Sequence, residues 1–202
     1  MHDFFTSLYQ QFLSTTFAEW VATVSGFLCV FLAARRHILN WPISIISVSV
    51  YAFIFLDSKL YGDALLQLYF VATAIYGWYY WNKTDETSQH KPVVSFRSGQ
   101  QLLVLIAVGL LTLLMGTALD KFTDSDVPYI DGFCTAMSFV AQFLMARRVL
   151  QSWLLWVIVD ICYIPLYLHK DLVLTAILYV AFTIIAWNGY RDWRHAYLNK
   201  TR

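Results

Sequence analysis

The sequence predicts an all-α integral membrane protein with seven transmembrane helices, arranged as two parallel three-helix repeats and one connecting helix (3+1+3). Three observations predict this fold class: the composition, an internal repeat and an uneven distribution of basic residues. Of the 202 residues, 59% are hydrophobic and 13% charged, whereas soluble domains carry about 25% charged residues. The net charge of +1 argues against a nucleic-acid partner and leaves the lipid bilayer as the main environment.

Seven segments are long and apolar enough to cross about 30 Å of hydrocarbon as helices. They lie near residues 17–34, 40–56, 60–81, 100–119, 132–146, 152–168 and 172–190. Trp41 and Trp153 open the second and sixth segments, and we expect both indoles to lie at the membrane interface. Residues 82–99 are polar, and residues 120–131 form an acidic loop.

The chain repeats itself at a constant offset of 112 residues: residues 19–81 match 131–193 without a gap, with 18 identities over 63 positions. The identities include two Arg-Arg pairs, at 35–36 and 147–148. We therefore predict three-helix repeats at 17–81 and 131–193 within a single transport domain. The cytoplasmic linker at 82–99 and the connecting helix at 100–119 lie between them. Because three helices in direct succession would invert the second copy, the connecting helix restores its orientation, and we expect it to pack on one side.

Basic residues predict the orientation in the membrane. If the loops at 35–40, 82–99 and 147–151 share one side with the C-terminal tail, that side holds eleven Lys and Arg residues against three on the other. Such an excess is typical of the cytoplasmic side. The sequence therefore predicts an N-terminus outside and a cytoplasmic C-terminus.

Asp160 is the leading candidate for substrate binding. It lies in the middle of the sixth segment, where an ionised carboxylate is expensive unless it has a partner. Trp156, Asp160, Tyr163 and Tyr167 are spaced four, three and four residues apart, so they share one helix face. An aromatic face with a carboxylate favours a flat cationic heterocycle as ligand. The alternative is a structural Asp160, protonated or bonded to a Tyr or Ser hydroxyl.

Further candidates lie on other segments. The corresponding face of the first repeat carries Ser44 and Tyr51, and the third segment carries Gln67. The seventh segment carries Tyr179 and Asn188. Polar groups in hydrocarbon need partners, and interhelical hydrogen bonds alone would also satisfy Gln67 and Asn188.

The sequence contains no motif for an ATP site, a zinc site or a hydrolase triad. We therefore expect no enzymatic activity, no cofactor and no bound metal. No cluster of acids indicates ion coupling, so downhill facilitated diffusion is the simplest mechanism. The oligomeric state stays open, because no face of a predicted helix indicates an interface.

A set of motifs in fixed order resembles a known family. It consists of Asn40-Trp41, the stretch from Tyr51 to Gln67, Tyr76-Gly77-Trp78, Trp153-Leu-Leu-Trp156 and Asn188-Gly189 followed by Trp193. Together they make residues 17–193 similar to the PnuC-type (Pnu) bacterial vitamin transporters, which have a SWEET-like fold. The resemblance implies a multi-pass protein of the cytoplasmic (inner) membrane. It also implies facilitated diffusion (uniport) of a vitamin that a cytoplasmic kinase then traps.

The residues after the Trp-x-x-Trp motif bear on the substrate. Nicotinamide riboside transporters of the family tend to carry Asn where this chain has Asp160, and the following Ile-Cys-Tyr-Ile-Pro-Leu-Tyr is similar to the thiamine-transporting (PnuT) branch. The sequence therefore favours thiamine, with nicotinamide riboside as the alternative within the family. A membrane receptor or assembly subunit without transport activity is the alternative from another class.

Overall fold

The computed structural model describes residues 9, 12–13, 16–57, 61–83, 92–97, 99–123, 127–169 and 173–200. This part of the chain is helical and contains no strand longer than a single bridge. Its seven long helices are α1 (Phe17–Ala34), α2 (Asn40–Asp57), α3 (Tyr61–Asn82), α4 (Gln100–Phe122), α5 (Pro128–Ala146), α6 (Ser152–His169) and α7 (Val173–Lys200). Each predicted membrane segment falls on one of them.

The helices differ in how clearly they are membrane spans. By length and composition alone, α4, α5 and α6 qualify, while α1 and α2 contain shorter apolar stretches at Trp20–Ala34 and Asn40–Ile54. Helix α7 has 28 residues, which corresponds to about 42 Å at 1.5 Å per residue. It exceeds about 30 Å of hydrocarbon, so its last turns extend beyond the bilayer, past the predicted end at residue 190.

Six of the helices form a closed ring. Helices α1, α2 and α3 pack side by side in chain order, as do α5, α6 and α7. Helix α3 then packs on α5, and α7 packs on α1, which closes the ring. Among the described helices, α4 packs on α5 alone, and of its residues only Val108 and Gly116 are buried, so the expectation that it packs on one side is confirmed.

The two seams of the ring, α3–α5 and α7–α1, use equivalent hydrogen bonds. At one seam, the Trp81 indole Nε1 donates to the carbonyl oxygen of Ala146 at 3.2 Å. At the other, Trp193 Nε1 donates to the carbonyls of Ala33 and Ala34 at 3.1 and 3.2 Å. Trp81 corresponds to Trp193, and Ala34 to Ala146, at the offset of 112 residues. Trp81, Trp193, Ala34 and Ala146 belong to one core cluster, at the end of the ring where α1 and α5 terminate.

Trp41 and Trp153 lie inside the protein, since each is only 1% exposed, and their interfacial depth in the membrane stays a prediction. Each ring packs on a glycine of a neighbouring helix: Trp41 on Gly77, and Trp153 on Gly189. A Cβ at Gly77 would lie 2.5 Å from ring atoms of Trp41. Small residues allow this close approach between helices, and the resulting contact buries the indoles in the core.

The α1–α2 and α5–α6 loops begin with the same backbone turn. Arg36 and Arg148 both have a φ of 58°, in the left-handed region that commonly ends a helix. Directly after them, the N–H of His37 donates to Leu32 and that of Val149 to Leu144, both at 2.9 Å. These bonds satisfy carbonyls at the ends of α1 and α5 that would otherwise lack partners.

The described part of the linker, residues 92–97, covers the α5–α6 loop. Val94 N–H donates to the carbonyl of Arg148 at 3.0 Å, and Leu150 N–H donates to the carbonyl of Val94 at 2.8 Å. The Gln151 amide donates to Ser95 Oγ at 2.7 Å. Arg148 is consequently 4% exposed, with its guanidinium 4.2 Å from the ring centre of Trp81. Burial, together with the charge of Arg36, lowers the pKa of Arg148 to about 10, so it stays charged at neutral pH.

Candidate functional site

Three tyrosines converge between α6 and α7. Tyr163 and Tyr167 are one helical turn apart on α6, and their rings stack with centroids 5.4 Å apart. Tyr179 of α7 lies 5.1 Å from the Tyr163 ring and 5.0 Å from the Tyr167 ring. The three rings therefore form one aromatic cluster with hydroxyl groups at its edges.

Asp160 lies one turn before Tyr163 on α6 and is 5% exposed. It is close enough to Tyr179 for an electrostatic interaction. In the described part of the chain, no hydrogen bond or ion pair engages its carboxylate. An ionised carboxylate at this depth requires a partner, and aromatic faces beside it attract cations. The arrangement suits a flat ligand with a positive charge.

The threonine–tyrosine contacts between α1 and α2 and between α5 and α6 correspond to each other. Tyr51 and Thr23 form a hydrogen bond of 3.0 Å between their hydroxyls. The hydroxyls of Tyr163 and Thr135 lie within hydrogen-bonding reach. Both pairs are identities of the repeat. Tyr51 therefore lies in the α1–α2 contact, and the equivalent α5–α6 contact brings Thr135 next to Tyr163.

The remaining candidates are distributed over the bundle. Ser44 is buried on α2 with its hydroxyl in hydrogen-bonding reach of the Cys29 thiol of α1. Trp156 is half-buried and packs on both hydrophobic clusters of the core. Gln67 is half-buried on α3, at the position that corresponds to Tyr179.

Asn188 lies apart from the tyrosines. It is nine residues beyond Tyr179 on α7, or about 13.5 Å along the helix, and it is exposed in a cleft between α1 and α7. Of the nine candidates, the structure thus brings together Asp160, Tyr163, Tyr167 and Tyr179. It leaves Ser44 and Tyr51 on the α1–α2 contact and Asn188 at another level of the bundle.

Sequence reasoning missed three residues next to the cluster. Thr135 contacts Tyr163, and Phe182 of α7 lies 5.8 Å from the Tyr179 ring. Phe27 of α1 stacks on Phe182 at 6.2 Å, which extends the aromatic row across the α7–α1 seam. All three positions are identities of the repeat, so the repeat contained a signal for them.

Two further features of the described residues complete the site. Pro165 lies inside α6, yet the helix continues through it to His169; because proline lacks an N–H, it cannot close the helical bond at that position. Among the described residues, no three His, Cys, Asp or Glu side chains come together as a metal site.

Comparison with known proteins identifies the family. The family model described as "Nicotinamide mononucleotide transporter" matches residues 16–195. The nicotinamide riboside transporter PnuC of Escherichia coli is 29% identical over 207 aligned residues, covering 87% of this chain and 84% of the relative. The riboflavin/roseoflavin transporter RibM of Streptomyces davaonensis is 28% identical at the same coverage of both chains.

A solved structure agrees with the fold. The crystal structure of the vitamin B3 transporter PnuC superposes with a TM-score of 0.73 at 30% identity, covering 90% of this chain and 82% of that one. The resemblance to PnuC-type transporters is therefore confirmed, whereas closeness to the thiamine branch stays a prediction. This chain belongs to the nicotinamide mononucleotide (PnuC) transporter family and is a multi-pass inner-membrane transporter of a vitamin-type small molecule.

Proposed function

We propose that the protein mediates facilitated diffusion of nicotinamide riboside, which a cytoplasmic kinase then traps. The observation that carries the proposal is the family match over residues 16–195, together with relatives named as nicotinamide riboside transporters. This reverses the order of substrates that the sequence favoured. Thiamine becomes the second candidate, supported by Asp160 and by the residues that follow it.

The substrate site that we propose is the tyrosine cluster with Asp160. A flat heterocycle would stack on Tyr163, Tyr167 or Tyr179, with ring centres about 4.5–7 Å apart. The carboxylate would lie near the positive charge of that ring. Nicotinamide riboside and thiamine both carry a permanently cationic ring, while riboflavin is neutral. Asp160 therefore favours the two cationic vitamins over riboflavin but does not separate them.

We also propose the architecture behind the transport cycle. Helices α1–α3 and α5–α7 would be parallel repeats related by an axis along the membrane normal, with the N-terminus outside and the C-terminus cytoplasmic. The equivalent hydrogen bonds of Trp81 and Trp193 support this symmetry. The closed ring supports a central pathway, and the basic loops support the orientation. Single-cysteine labelling from either side of intact cells tests the orientation, with one cysteine placed in the 35–40 loop and another between α4 and α5.

The decisive experiment measures uptake of labelled nicotinamide riboside, thiamine and riboflavin into proteoliposomes that contain only this protein. Uptake of the riboside without an ion gradient, with weaker uptake of the other two, is the expected result. Preferential uptake of thiamine would replace the substrate and keep the family. No uptake of any of the three, with the protein intact, would favour the receptor or assembly subunit.

Asp160→Asn tests the site itself. Removing the charge at nearly constant volume should weaken binding of a cationic vitamin at least about tenfold, because a charge-assisted interaction is worth about 1.5–3 kcal/mol and a tenfold change corresponds to about 1.4 kcal/mol. Tyr51→Phe serves as the matched control on the α1–α2 contact and should change affinity little. Unchanged affinity of Asp160→Asn would make Asp160 structural.

A further inference from the structure

A second polar site lies on the α7–α1 seam, about 13.5 Å along α7 from the tyrosine cluster. It is a cleft with a volume of ≈ 380 Å³, a size typical of small-molecule sites. The residues that matter for its chemistry are Phe31, Arg35, Asn188, Arg191, Asp192 and His195. Nothing in the proposed transport of a vitamin uses them.

The corresponding place on the α3–α5 seam is filled. There, Arg147 donates to the Tyr76 hydroxyl at 3.1 Å, and its guanidinium lies 5.2 Å from the Tyr80 ring centre. Phe143 stacks on Tyr76 with ring centres 6.4 Å apart. At this seam, the side chains of Tyr76 and Tyr80 thus contact Arg147 and occupy the space beside it.

The offset of 112 residues shows what differs at the α7–α1 seam. Arg35 corresponds to Arg147, but Asn188 and Asp192 replace the two tyrosines, Tyr76 and Tyr80. The shorter side chains leave the cleft open. Arg35 keeps only a cation–π contact with Phe31 at 5.5 Å. Among the described residues, its guanidinium and that of Arg191 form no side-chain hydrogen bond or ion pair.

The cleft has the chemistry of an anion site. Its lining contains the guanidinium groups of Arg35 and Arg191, the Asn188 amide and the His195 imidazole, with Asp192 as the one carboxylate. Guanidinium groups bind phosphate through paired hydrogen bonds. The cleft lies where α1 ends and α7 continues past it, at the level where the predicted membrane segments 17–34 and 172–190 end. Asp192 adds an acceptor for a hydroxyl group on the same ligand.

We propose that this cleft binds the phosphate group of a hydroxyl-bearing phosphate ester. The phosphate would lie between Arg35 and Arg191, with Asn188 donating an N–H and Asp192 accepting from the hydroxyl. Two sources carry this chemistry: the headgroup of an anionic phospholipid beside the protein, and a free phosphorylated metabolite. The proposal does not depend on which vitamin is transported.

The test uses the purified full chain and two kinds of probe. Native mass spectrometry measures retention of phosphatidylglycerol against phosphatidylcholine from mixed nanodiscs, and thermal shift measures binding of glycerol 3-phosphate and inorganic phosphate. Selective retention of phosphatidylglycerol identifies a lipid, and a shift with the soluble esters alone identifies a metabolite. Absence of both effects overturns the proposal.

Variants distinguish phosphate binding in the cleft from non-specific attraction of anions to basic side chains. Arg35→Gln combined with Arg191→Gln should weaken binding at least about tenfold, because both charge-assisted bonds are lost. Arg147→Gln removes the same charge at the filled seam and should leave binding unchanged; an equal loss there overturns the proposal.

A second design fills the cleft instead of discharging it. Asn188→Tyr with Asp192→Tyr installs the tyrosines of the other seam, and it should abolish phosphate binding while both arginines remain. Phosphate binding at wild-type strength in this variant also overturns the proposal, provided that gel filtration shows a folded protein.

Discussion

A methyl group at position 77 would meet the face of a buried indole. In Gly77→Ala, the new Cβ would lie 2.5 Å from two atoms of the Trp41 ring and 2.7 Å from a third. These distances are far inside van der Waals contact. Trp41 is 1% exposed and also packs against Trp81 with ring centres 5.2 Å apart, so the indole cannot retreat without moving the core. Overpacking of this kind costs about 1–3 kcal/mol.

Gly109→Ala is the matched control. Nothing lies within 4 Å of a Cβ at position 109, and both glycines are inside helices. The two variants therefore gain a similar helix propensity, about 0.5–1 kcal/mol, and the difference between them isolates the steric cost. Gly189→Ala, whose nearest Trp153 ring atoms are 2.9 Å away, should fall between them.

The assay is thermal unfolding of the purified variants in one detergent. A chain of this size shifts its melting temperature by about 2–4 °C per kcal/mol, so Gly77→Ala should melt at least about 2 °C below Gly109→Ala. Replacing Trp41 by Phe in the Gly77→Ala background should recover part of this loss, since the smaller ring restores space. Equal melting temperatures for Gly77→Ala and Gly109→Ala would refute the close contact.

Two other predictions concern neighbouring parts of the chain. The thiols of Cys134 and Cys162 lie within hydrogen-bonding reach across α5–α6, so copper phenanthroline should join them; labelling that still counts three free thiols would contradict this packing. Gln151→Ala removes the bonds to Ser95 and to the Phe96 amide, and it should speed hydrogen exchange at Val94 at least about fivefold, at about 0.5–1.5 kcal/mol per bond. An unchanged exchange rate would mean that the backbone pairing alone holds the linker.

The sequence was informative where one physical signal dominates. Long apolar segments located all seven helices, because hydrocarbon thickness sets a minimum length. Helical spacing grouped Trp156, Asp160, Tyr163 and Tyr167 on α6, and the structure brings Tyr179, a candidate on the seventh segment, next to Tyr163. Residue type together with helical spacing was therefore sufficient to predict the α6 face of the site.

The sequence was less informative where packing between distant helices decides the outcome. Tryptophan at the start of a membrane segment is typical of an interface, but Gly77 and Gly189 draw Trp41 and Trp153 into the core. Asn188 lies nine residues beyond Tyr179 on α7, about 13.5 Å along the helix, so the helical rise already places it at another level than the tyrosines, and the structure adds that it lines the cleft between α1 and α7. For the substrate, the relatives' names favour nicotinamide riboside, whereas Asp160 and the residues that follow it favoured thiamine.

The linker distinguishes two loops that are equivalent in the repeat. It hydrogen-bonds the α5–α6 loop through Val94, and it belongs to the same chain, so a detached linker stays near its loop at an effective concentration in the millimolar range. Reattachment is then a first-order step that does not depend on protein concentration. Arg36 on the α1–α2 loop is exposed, while its counterpart Arg148 is covered. Within the described residues, the linker therefore braces the α5–α6 loop, whereas the equivalent α1–α2 loop is open to solvent at Arg36.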